Sequence, residues 1–217
     1  LVSDNWITKY RARTFNDKEP EMLDWLDENL QDGDIFFDVG ANIGIYSLYA
    51  ALRNLNVAVY AFEPEYSNLH HFKMNIINNR LMENITPYSI AFSDKTELSS
   101  LHIQDLTPGA ALHTVSNKHL DITQTGHPVI WKEGISCMTL DDFCGSLGLK
   151  PNLVKIDVDG NETSILKGGQ KTFTNPNLRT VFIEVDSMQI SCEKILANYG
   201  FILLDKYGEN QVWKRDN

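Results

Sequence analysis

Short apolar runs alternate with longer amphipathic stretches along most of this chain. The apolar runs predict strands at 35–39, 57–62, 85–92, 153–158, 180–185, 201–206 and 211–214. Apolar residues that recur on one helical face predict helices at 19–30, 43–53, 65–80, 160–173 and 188–199. Strands that alternate with helices and are apolar on both faces indicate an α/β fold, in which helices cover both sides of a mostly parallel sheet. The last strand is expected to be antiparallel.

Residues 97–138 interrupt this alternation. They contain four of the six histidines and two short strand-like runs, 98–103 and 135–138, around a polar stretch. A long irregular insertion in a compact domain is usually functional or disordered, so we expect a lid or substrate loop over an active site. A surface loop without a role is the alternative. We otherwise expect one domain over residues 1–217, with residues 1–32 as a helical lead-in.

Composition and charge narrow the possible partners. The chain of 217 residues has a formal net charge of −10, which argues against nucleic acid as the main partner, since phosphate binding needs a basic face. It also disfavours an anionic membrane surface, and no apolar stretch approaches the roughly 18 residues of a membrane span. The three cysteines form no CxxC pair, so reduced thiols in a cytoplasmic protein are the simplest interpretation.

The first predicted strand ends in an acid and a glycine turn. Asp38 is followed by Gly40, Ala41, Asn42 and Gly44, and ligands of open α/β sheets bind beyond the carboxyl ends of the strands. Because an unpaired buried carboxylate is expensive, Asp38 needs a cationic or N–H group from a ligand, or alternatively the N–H groups of the following helix. The glycine spacing matches neither the dinucleotide fingerprint nor a P-loop, which counts against a nicotinamide-dependent oxidoreductase.

The next two predicted strands also end in polar residues. Glu63 follows the second strand, where an acid accepts hydrogen bonds from ribose hydroxyls. Ser93 and Asp94 end the third strand, where an adenine ring would lie. Three adjacent strand ends of this kind suit an adenosine whose tail carries an amino acid rather than a phosphate. S-adenosylmethionine is such a ligand.

A lysine and several acids follow the fourth and fifth strands. Side chains alternate on a strand, so Lys155, Asp157 and Asp159 share one side, and Glu184 and Asp186 share one side of the next strand. Acids placed there can stabilise a sulfonium, bind an ammonium or accept a proton from a hydroxyl. Structural alternatives are a buried pair of Lys155 with Asp157 or Glu184, and a helix-entry role for Asp159. We expect no metal, because Lys155 competes for the same carboxylates.

These motifs carry a family resemblance over about residues 33–186. They are Asp38–Gly44, Phe62–Pro64, Ala91–Asp94, Thr139–Asp142, Lys155–Glu162, Leu166–Gly169 and Ile183–Glu184. In them the chain resembles the FkbM-type S-adenosylmethionine-dependent methyltransferases, although that family usually has Glu at the position of Asp159. The resemblance implies a Rossmann-like class I methyltransferase fold with a seven-stranded sheet. It also implies O-methylation of a hydroxyl on a sugar, polysaccharide or secondary metabolite.

The residues and the resemblance together predict a site. Gly40, Ala41, Asn42 and Gly44 are expected to surround the methionine part of the cofactor, with Asp38 and Asp157 beside its ammonium and sulfonium. Glu63 holds the ribose, Ser93 and Asp94 lie near adenine, and Lys155 keeps the carboxylates ionised. Either Glu184 or Asp159 is the proton acceptor. The competing hypothesis is a non-catalytic module on the same scaffold that binds adenosine or a partner.

Overall fold

The structure is a computed structural model that describes residues 1–53, 56–185 and 191–216. Its strands are β1 (Ile35–Val39), β2 (Ala58–Phe62), β3 (Ile85–Tyr88), β4 (Ala91–Phe92), β5 (Glu97–Ile103), β6 (Thr114–Val115), β7 (Trp131–Met138), β8 (Leu153–Ile156), β9 (Thr180–Glu184), β10 (Phe201–Tyr207) and β11 (Asn210–Arg215). Its helices are α1 (Trp6–Arg13), α2 (Pro20–Asn29), α3 (Ile45–Ala51), α4 (Tyr66–Asn78), α5 (Leu140–Leu147), α6 (Glu162–Gly168), α7 (Gln170–Phe173) and α8 (Ser191–Asn198).

The central sheet has seven strands in the order β10-β11-β9-β8-β1-β2-β3. Strands β3, β2, β1, β8 and β9 pair in parallel, whereas β11 is antiparallel to both β9 and β10. The predicted mostly parallel sheet and antiparallel terminal strand are therefore confirmed. Because the parallel strands end at the same edge, the residues that follow β1, β2, β8 and β9 come together there.

Apolar side chains cover both faces of this sheet. Phe36 and Phe37, successive residues of β1, point into two different clusters of buried residues, as the alternation along a strand requires. One cluster packs under α5, α6 and α8, and the other packs under α2, α3 and α4. This confirms the prediction that helices lie on both sides of the sheet. None of the described helices is long and apolar enough to cross a membrane.

The insertion differs from the predicted irregular loop. β4, β5, β6 and β7 form a second sheet in the order β4-β7-β5-β6. The predicted strand 85–92 divides, since β3 pairs with β2 in the central sheet while β4 pairs with β7. The physical reason is a third apolar cluster, to which Leu101, Ile103, Ile135 and Cys137 contribute. Alternate residues of β5 and β7 thus have a core of their own to bury.

Two further differences concern helices. The lead-in, which the sequence predicts as helical with one helix at 19–30, contains the additional helix α1, which begins at a capping box formed by Asn5 and Thr8. The helix predicted at 160–173 is divided at Gly169 into α6 and α7. Asp186 and the first residues of the helix predicted at 188–199 lie outside the described residues.

Candidate active site

A cavity of about 230 Å³ lies at the carboxyl edge of the central sheet. Its floor is made by the ends of β1, β2, β8 and β9. Its polar lining comes from Arg11, Lys18, Glu19, Asn42, Glu63, Asn68, His113, Asp157, Asp159, Asn161 and Glu184. Acids outnumber bases in this lining, so the cavity favours a ligand that carries positive charge.

A smaller cavity of about 40 Å³ adjoins the first one. It lies between the glycine turn, which we define as residues 40–44, and the N-terminal segment 11–19. Both cavities are lined by Arg11, Lys18, Glu19, Gly40, Asn42 and Asp157. Glu19 accepts a hydrogen bond from the Tyr46 hydroxyl, which holds the N-terminal segment against α3. The two cavities therefore form one cleft with the glycine turn beneath it.

The glycine turn is closely packed against its own protein. A Cβ atom at Gly40 would lie 1.8 Å from the Asp157 carbonyl oxygen, and one at Gly44 would lie 1.9 Å from the Phe72 ring. Both glycines have positive φ angles of 78° and 82°. Close packing against the end of β8 and against α4 therefore requires both glycines, whether or not a ligand binds. Ala41 and Asn42, which lie between the two glycines, line the smaller cavity.

All five N–H groups of the glycine turn donate within the protein. Gly40 and Ala41 both donate to the Phe62 carbonyl, and Gly44 donates to Ala41. Asn42 N–H donates to Glu63 Oε2 over 2.8 Å, and Ile43 N–H donates to Asn42 Oδ1 over 2.9 Å. The turn therefore shapes the cleft, but its N–H groups are already satisfied.

Asp38 has protein partners on both carboxylate oxygens. Ser47 Oγ donates to Oδ2 over 2.6 Å, and Lys155 Nζ lies 3.1 Å from Oδ1. The side chain is fully buried and lines neither cavity. The structure thus satisfies Asp38 through Lys155 and Ser47 rather than through the ligand group or the helix N–H groups that the sequence led us to expect.

Lys155 lies beneath the cleft and connects three elements. Besides Asp38, its ammonium donates to the Gly40 carbonyl over 2.8 Å and lies 3.5 Å from Asp157 Oδ2. Burial alone would lower the pKa of Lys155, but the Asp38 and Asp157 carboxylates raise it above its ordinary value. The charged lysine therefore holds the ends of β1 and β8 together. Its contact with Asp157 is one of the two structural pairings that the sequence predicts.

Asp157 and Glu184 form a pair at the cavity wall. They are joined by a hydrogen bond between their side chains. Burial opposes ionisation of Asp157, but Lys155 and the hydrogen bond from Glu184 hold its pKa below the ordinary value. The charge of Asp157, together with burial, raises the pKa of Glu184 to about 9. At neutral pH the pair therefore holds one proton, on Glu184, and Asp157 is the carboxylate.

Asp159 is the third acid on this side of the cavity. Burial, with the nearby charge of Asp157, raises the pKa of its carboxyl to about 7. Its Oδ2 accepts a hydrogen bond from Leu112 N–H over 2.6 Å. The residue has a φ of 57°, a left-handed conformation in which Asp and Asn are among the more tolerated residues. Asp157, Asp159 and Glu184 are thus brought together as the sequence predicted.

Glu63 lies in the floor of the cavity, at the end of β2. Its two oxygens accept hydrogen bonds from the N–H groups of Asn42 and Glu65, over 2.8 Å and 2.9 Å. Burial outweighs these bonds and raises the pKa of Glu63 to about 7. Each oxygen keeps a lone pair for a further donor, which suits the predicted bonding of ribose hydroxyls.

Ser93 and Asp94 do not line either cavity. Ser93 N–H donates to the Met138 carbonyl, and the backbone of Ser93 packs closely against Gly168. The cavity wall in this region is instead apolar and is formed by Ile90, Ala91, Phe92 and Ile165. Ser93 and Asp94, which the sequence predicts near adenine, are thus not part of the cavity lining, whereas the residues immediately before them are.

Residues 108–113, which we call the strap, cross the cavity between β5 and β6. Hydrogen bonds to several elements tie the strap down. The Gly109 carbonyl accepts from Arg11 Nε (2.7 Å), and the Ala110 carbonyl accepts from the side-chain amides of Asn42 (2.7 Å) and Asn68 (3.0 Å). Gly109 N–H donates to Asn68 Oδ1 (2.7 Å), and Leu112 N–H donates to Asp159 Oδ2 (2.6 Å). The insertion thus places a segment over the strand ends, as a lid would require.

Several cavity residues were not predicted as site residues. Arg11, Lys18 and Glu19 come from the lead-in, and Asn68 comes from α4. No motif in the sequence singles them out. His113 is one of the four histidines of the insertion, 97–138. Its two ring nitrogens are buried without a hydrogen-bond partner among the described residues, and burial lowers its pKa, so it offers a neutral imidazole to a ligand.

The polar and apolar groups that line the cleft fit S-adenosylmethionine. Glu63 can accept from ribose hydroxyls, the apolar wall around Phe92 can cover adenine, and Asp157 can bind an ammonium. The unpartnered nitrogens of His113 are further polar atoms available to a ligand. Within the described part of the chain, no group of three or more His, Cys, Asp or Glu residues is arranged to hold a metal ion.

Comparisons with known proteins agree with this chemistry. The 31-O-demethyl-FK506 methyltransferase FkbM of Streptomyces tacrolimicus is 26% identical over 196 residues, which cover 81% of this chain and 75% of that protein. The hexuronic acid methyltransferase AglP of Haloferax volcanii is 26% identical over 170 residues, which cover 77% of this chain and 62% of that protein. Methyltransferase FkbM from Methylobacillus flagellatus KT has a similar fold, with a TM-score of 0.55 at 14% identity.

The similarity to the Methylobacillus flagellatus protein covers 98% of this chain and 56% of the solved chain. This chain therefore spans less than two thirds of that protein and of the Haloferax volcanii relative. A family model described as the methyltransferase FkbM domain matches residues 38–203. The match confirms the resemblance seen in the sequence and supports S-adenosylmethionine as the cofactor. The chain belongs to the FkbM methyltransferase family.

Proposed function

We propose that this protein transfers the methyl group of S-adenosylmethionine to a hydroxyl oxygen of a sugar or another small metabolite. The observation that carries the proposal is the group of Asp157, Asp159 and Glu184 on one wall of the cleft above the glycine turn. A methyl transfer to oxygen needs the two reactants aligned and a proton acceptor near the hydroxyl. The strand ends supply the first requirement and the acids supply the second.

The cofactor supplies an electrophilic methyl group on a sulfonium. In our proposal Asp157 lies beside the positive end of the bound cofactor, because Lys155 keeps this carboxylate ionised. Glu63 binds the ribose, and Ile90, Phe92 and Ile165 enclose the adenine. The strap excludes water from the reacting atoms, which strengthens each of these electrostatic contacts.

We assign the proton acceptor to Asp159. Glu184 keeps its own proton at neutral pH, because it shares the hydrogen bond with ionised Asp157. Asp159 has a pKa of about 7, and a general base is most effective when its pKa is near the working pH. Its Oδ2 is held by Leu112 N–H, which leaves Oδ1 for the acceptor hydroxyl. Glu184 then serves to keep Asp157 in place.

The acceptor class rests on the relatives and on charge. The name of one relative specifies an oxygen that is methylated and the name of the other specifies a hexuronic acid, so both support a hydroxyl of a sugar or metabolite. The net charge of −10 and the acidic lining of the cavity still predict that nucleic acid is not the acceptor.

Thermal unfolding tests the cofactor first. S-adenosylmethionine or S-adenosylhomocysteine at about 100-fold over Kd should stabilise the protein by about 2.7 kcal/mol. For a domain of this size, that corresponds to a rise in Tm of roughly 5–11 °C, and NADH should give no rise. Glu63→Ala should reduce the shift, whereas Glu83→Ala, at an exposed position that lines neither cavity, should not.

Methyl transfer is then measured with labelled cofactor on a panel of uronic acids, neutral sugars, hydroxylated metabolites and RNA. We expect turnover on one hydroxyl class and none on RNA. Cofactor binding without turnover on any acceptor would replace the proposal by the non-catalytic binding module. A shift with NADH alone would favour the oxidoreductase.

A further inference from the structure

The amino-acid tail of S-adenosylmethionine carries an ammonium and a carboxylate, and the glycine turn cannot satisfy the carboxylate. All five N–H groups from Gly40 to Gly44 already donate within the protein. The Gly40 carbonyl is also engaged, since Lys155 donates to it. A carboxylate that lies over this turn must therefore find its donors on another element.

Three cations line the cleft: Arg11, Lys18 and Lys155. Lys155 is committed beneath the turn, where it contacts Asp38 at 3.1 Å and Asp157 at 3.5 Å. Lys18 lies on the other side and pairs with Glu19 at 2.9 Å. Arg11 forms no ion pair with any described residue, and it lines both cavities.

The position of Arg11 is fixed by the strap. Its Nε donates to the Gly109 carbonyl over 2.7 Å, and the two terminal nitrogens of the guanidinium have no hydrogen-bond partner among the described residues. A guanidinium held in this way presents a fork of donors that matches a carboxylate. α1 thus brings a fixed cation, with unused donors, to the open side of the glycine turn.

Charge of the opposite sign lies next to it. Arg11, Lys18 and Asp157 all line both cavities, and the two cations favour the ionised form of Asp157. Adjacent positive and negative groups on the protein match the ammonium and carboxylate of one amino acid. On the basis of the proposed function, we infer that Arg11, assisted by Lys18, binds the carboxylate of the cofactor, while Asp157 binds its ammonium.

This inference gives the lead-in a role in the cofactor site. Arg11 precedes the family-matched region, which begins at residue 38. Arg11 also binds the strap, so the carboxylate and the lid are linked through one side chain. A bound cofactor would restrain the guanidinium, and the guanidinium would restrain Gly109. The competing assignment is that Arg11 binds an anionic group of the acceptor instead.

The test compares two cofactors that differ by one group. Isothermal titration calorimetry is carried out with S-adenosylmethionine and with decarboxylated S-adenosylmethionine on the wild type, Arg11→Ala, Arg11→Lys and Arg13→Ala. Arg13 is the matched control, because it lies on the same helix, is exposed and lines neither cavity. A charge-assisted hydrogen bond of typical strength corresponds to about 10- to 100-fold in Kd.

We expect Arg11→Ala to weaken S-adenosylmethionine binding by about 10- to 100-fold and to change binding of the decarboxylated ligand by less than threefold. Arg11→Lys should recover part of the loss, and Arg13→Ala should bind both ligands as the wild type does.

Equal weakening of both ligands would overturn the inference and leave Arg11 as a support for the strap. Unchanged binding of both ligands, with a raised KM for the acceptor alone, would overturn it in favour of an acceptor contact. If the wild type bound neither ligand, the proposed function itself would fail, and the inference with it.

Discussion

Lys155 and Asp38 are direct neighbours across β8 and β1, with Lys155 Nζ 3.1 Å from Asp38 Oδ1. Their side chains are 1% and 0% exposed, so this is a fully buried ion pair. Ser47 Oγ donates to the other carboxylate oxygen of Asp38, and Lys155 Nζ also donates to the Gly40 carbonyl. The pair fixes the end of β1 to the end of β8 at the point where the glycine turn begins. The cleft therefore depends on a buried charge pair of which Lys155 lines the smaller cavity and Asp38 lines neither cavity.

Removing the lysine should strongly destabilise the protein. Lys155→Met leaves Asp38 charged and without its counter-ion, and breaking a buried pair in this way costs about 3–5 kcal/mol. The double variant Lys155→Met/Asp38→Asn should recover part of that loss, because it removes the fully buried charge of Asp38 although Asp157 still lacks its lysine partner. Urea denaturation measures both. Lys206→Ala is the control, since its exposed pair with Glu193 should contribute at most about 1 kcal/mol. A loss below 1 kcal/mol in Lys155→Met would contradict the assignment.

The central sheet was predictable because its strands are apolar on both faces. The runs at 35–39, 57–62, 153–158 and 180–185 predict β1, β2, β8 and β9 to within two residues at each end. The glycines and acids that follow these strands predict where the cavity lies, because parallel strands end at the same edge of the sheet. Local sequence was sufficient wherever the burial of an entire strand set the pattern.

The partners of individual side chains were not predictable. Asp38 was assigned to a ligand because the sequence does not reveal that Lys155, on a strand much later in the chain, lies beside it. That information resides in the register of β1 and β8. The runs at 98–103 and 135–138 predict β5 and the end of β7, but the sequence does not reveal that these strands pair and bury a core of their own. Arg11 was missed because it reaches the cleft only through the path of α1, which no motif specifies.

Replacement of Gly40 by alanine tests the packing of the glycine turn. The added Cβ would lie 1.8 Å from the Asp157 carbonyl oxygen at a φ of 78°. The backbone conformation alone costs about 1–2 kcal/mol, and the contact with main-chain atoms adds to this. We expect a larger loss of stability than that in urea denaturation, together with weaker cofactor binding. Gly134→Ala is the matched control, because nothing lies within 4 Å of its Cβ position. Comparable stability of the two variants would contradict the packing argument.

The proton on Glu184 should make stability depend on pH. Asp157 and burial raise the pKa of Glu184 to about 9, from an ordinary value of 4.5. Between these pH values the folded state binds more protons than the unfolded state. The stability contributed by Glu184 is therefore fully present below pH 4.5 and is lost as pH rises towards 9.

Glu184→Gln cannot ionise, so the Tm of this variant should rise relative to that of the wild type from pH 5 to pH 9. Glu193→Gln, at a half-exposed position that lines neither cavity, should follow the wild type. Parallel curves for Glu184→Gln and the wild type would refute the shared proton.

The assignment of Asp159 as the base predicts the pH dependence of the reaction. Because burial and Asp157 raise its pKa to about 7, the single-turnover rate at saturating cofactor should rise with pH through about 7 and then level off. Asp159→Asn should lose about 10²–10⁴-fold in rate and should lose this pH dependence. The asparagine tolerates the left-handed backbone of residue 159, so its Tm should stay near that of the wild type. Asp159→Glu should retain the rise with pH. If Asp159→Asn remained within tenfold of the wild type while Glu184→Gln was inactive, the base would be Glu184.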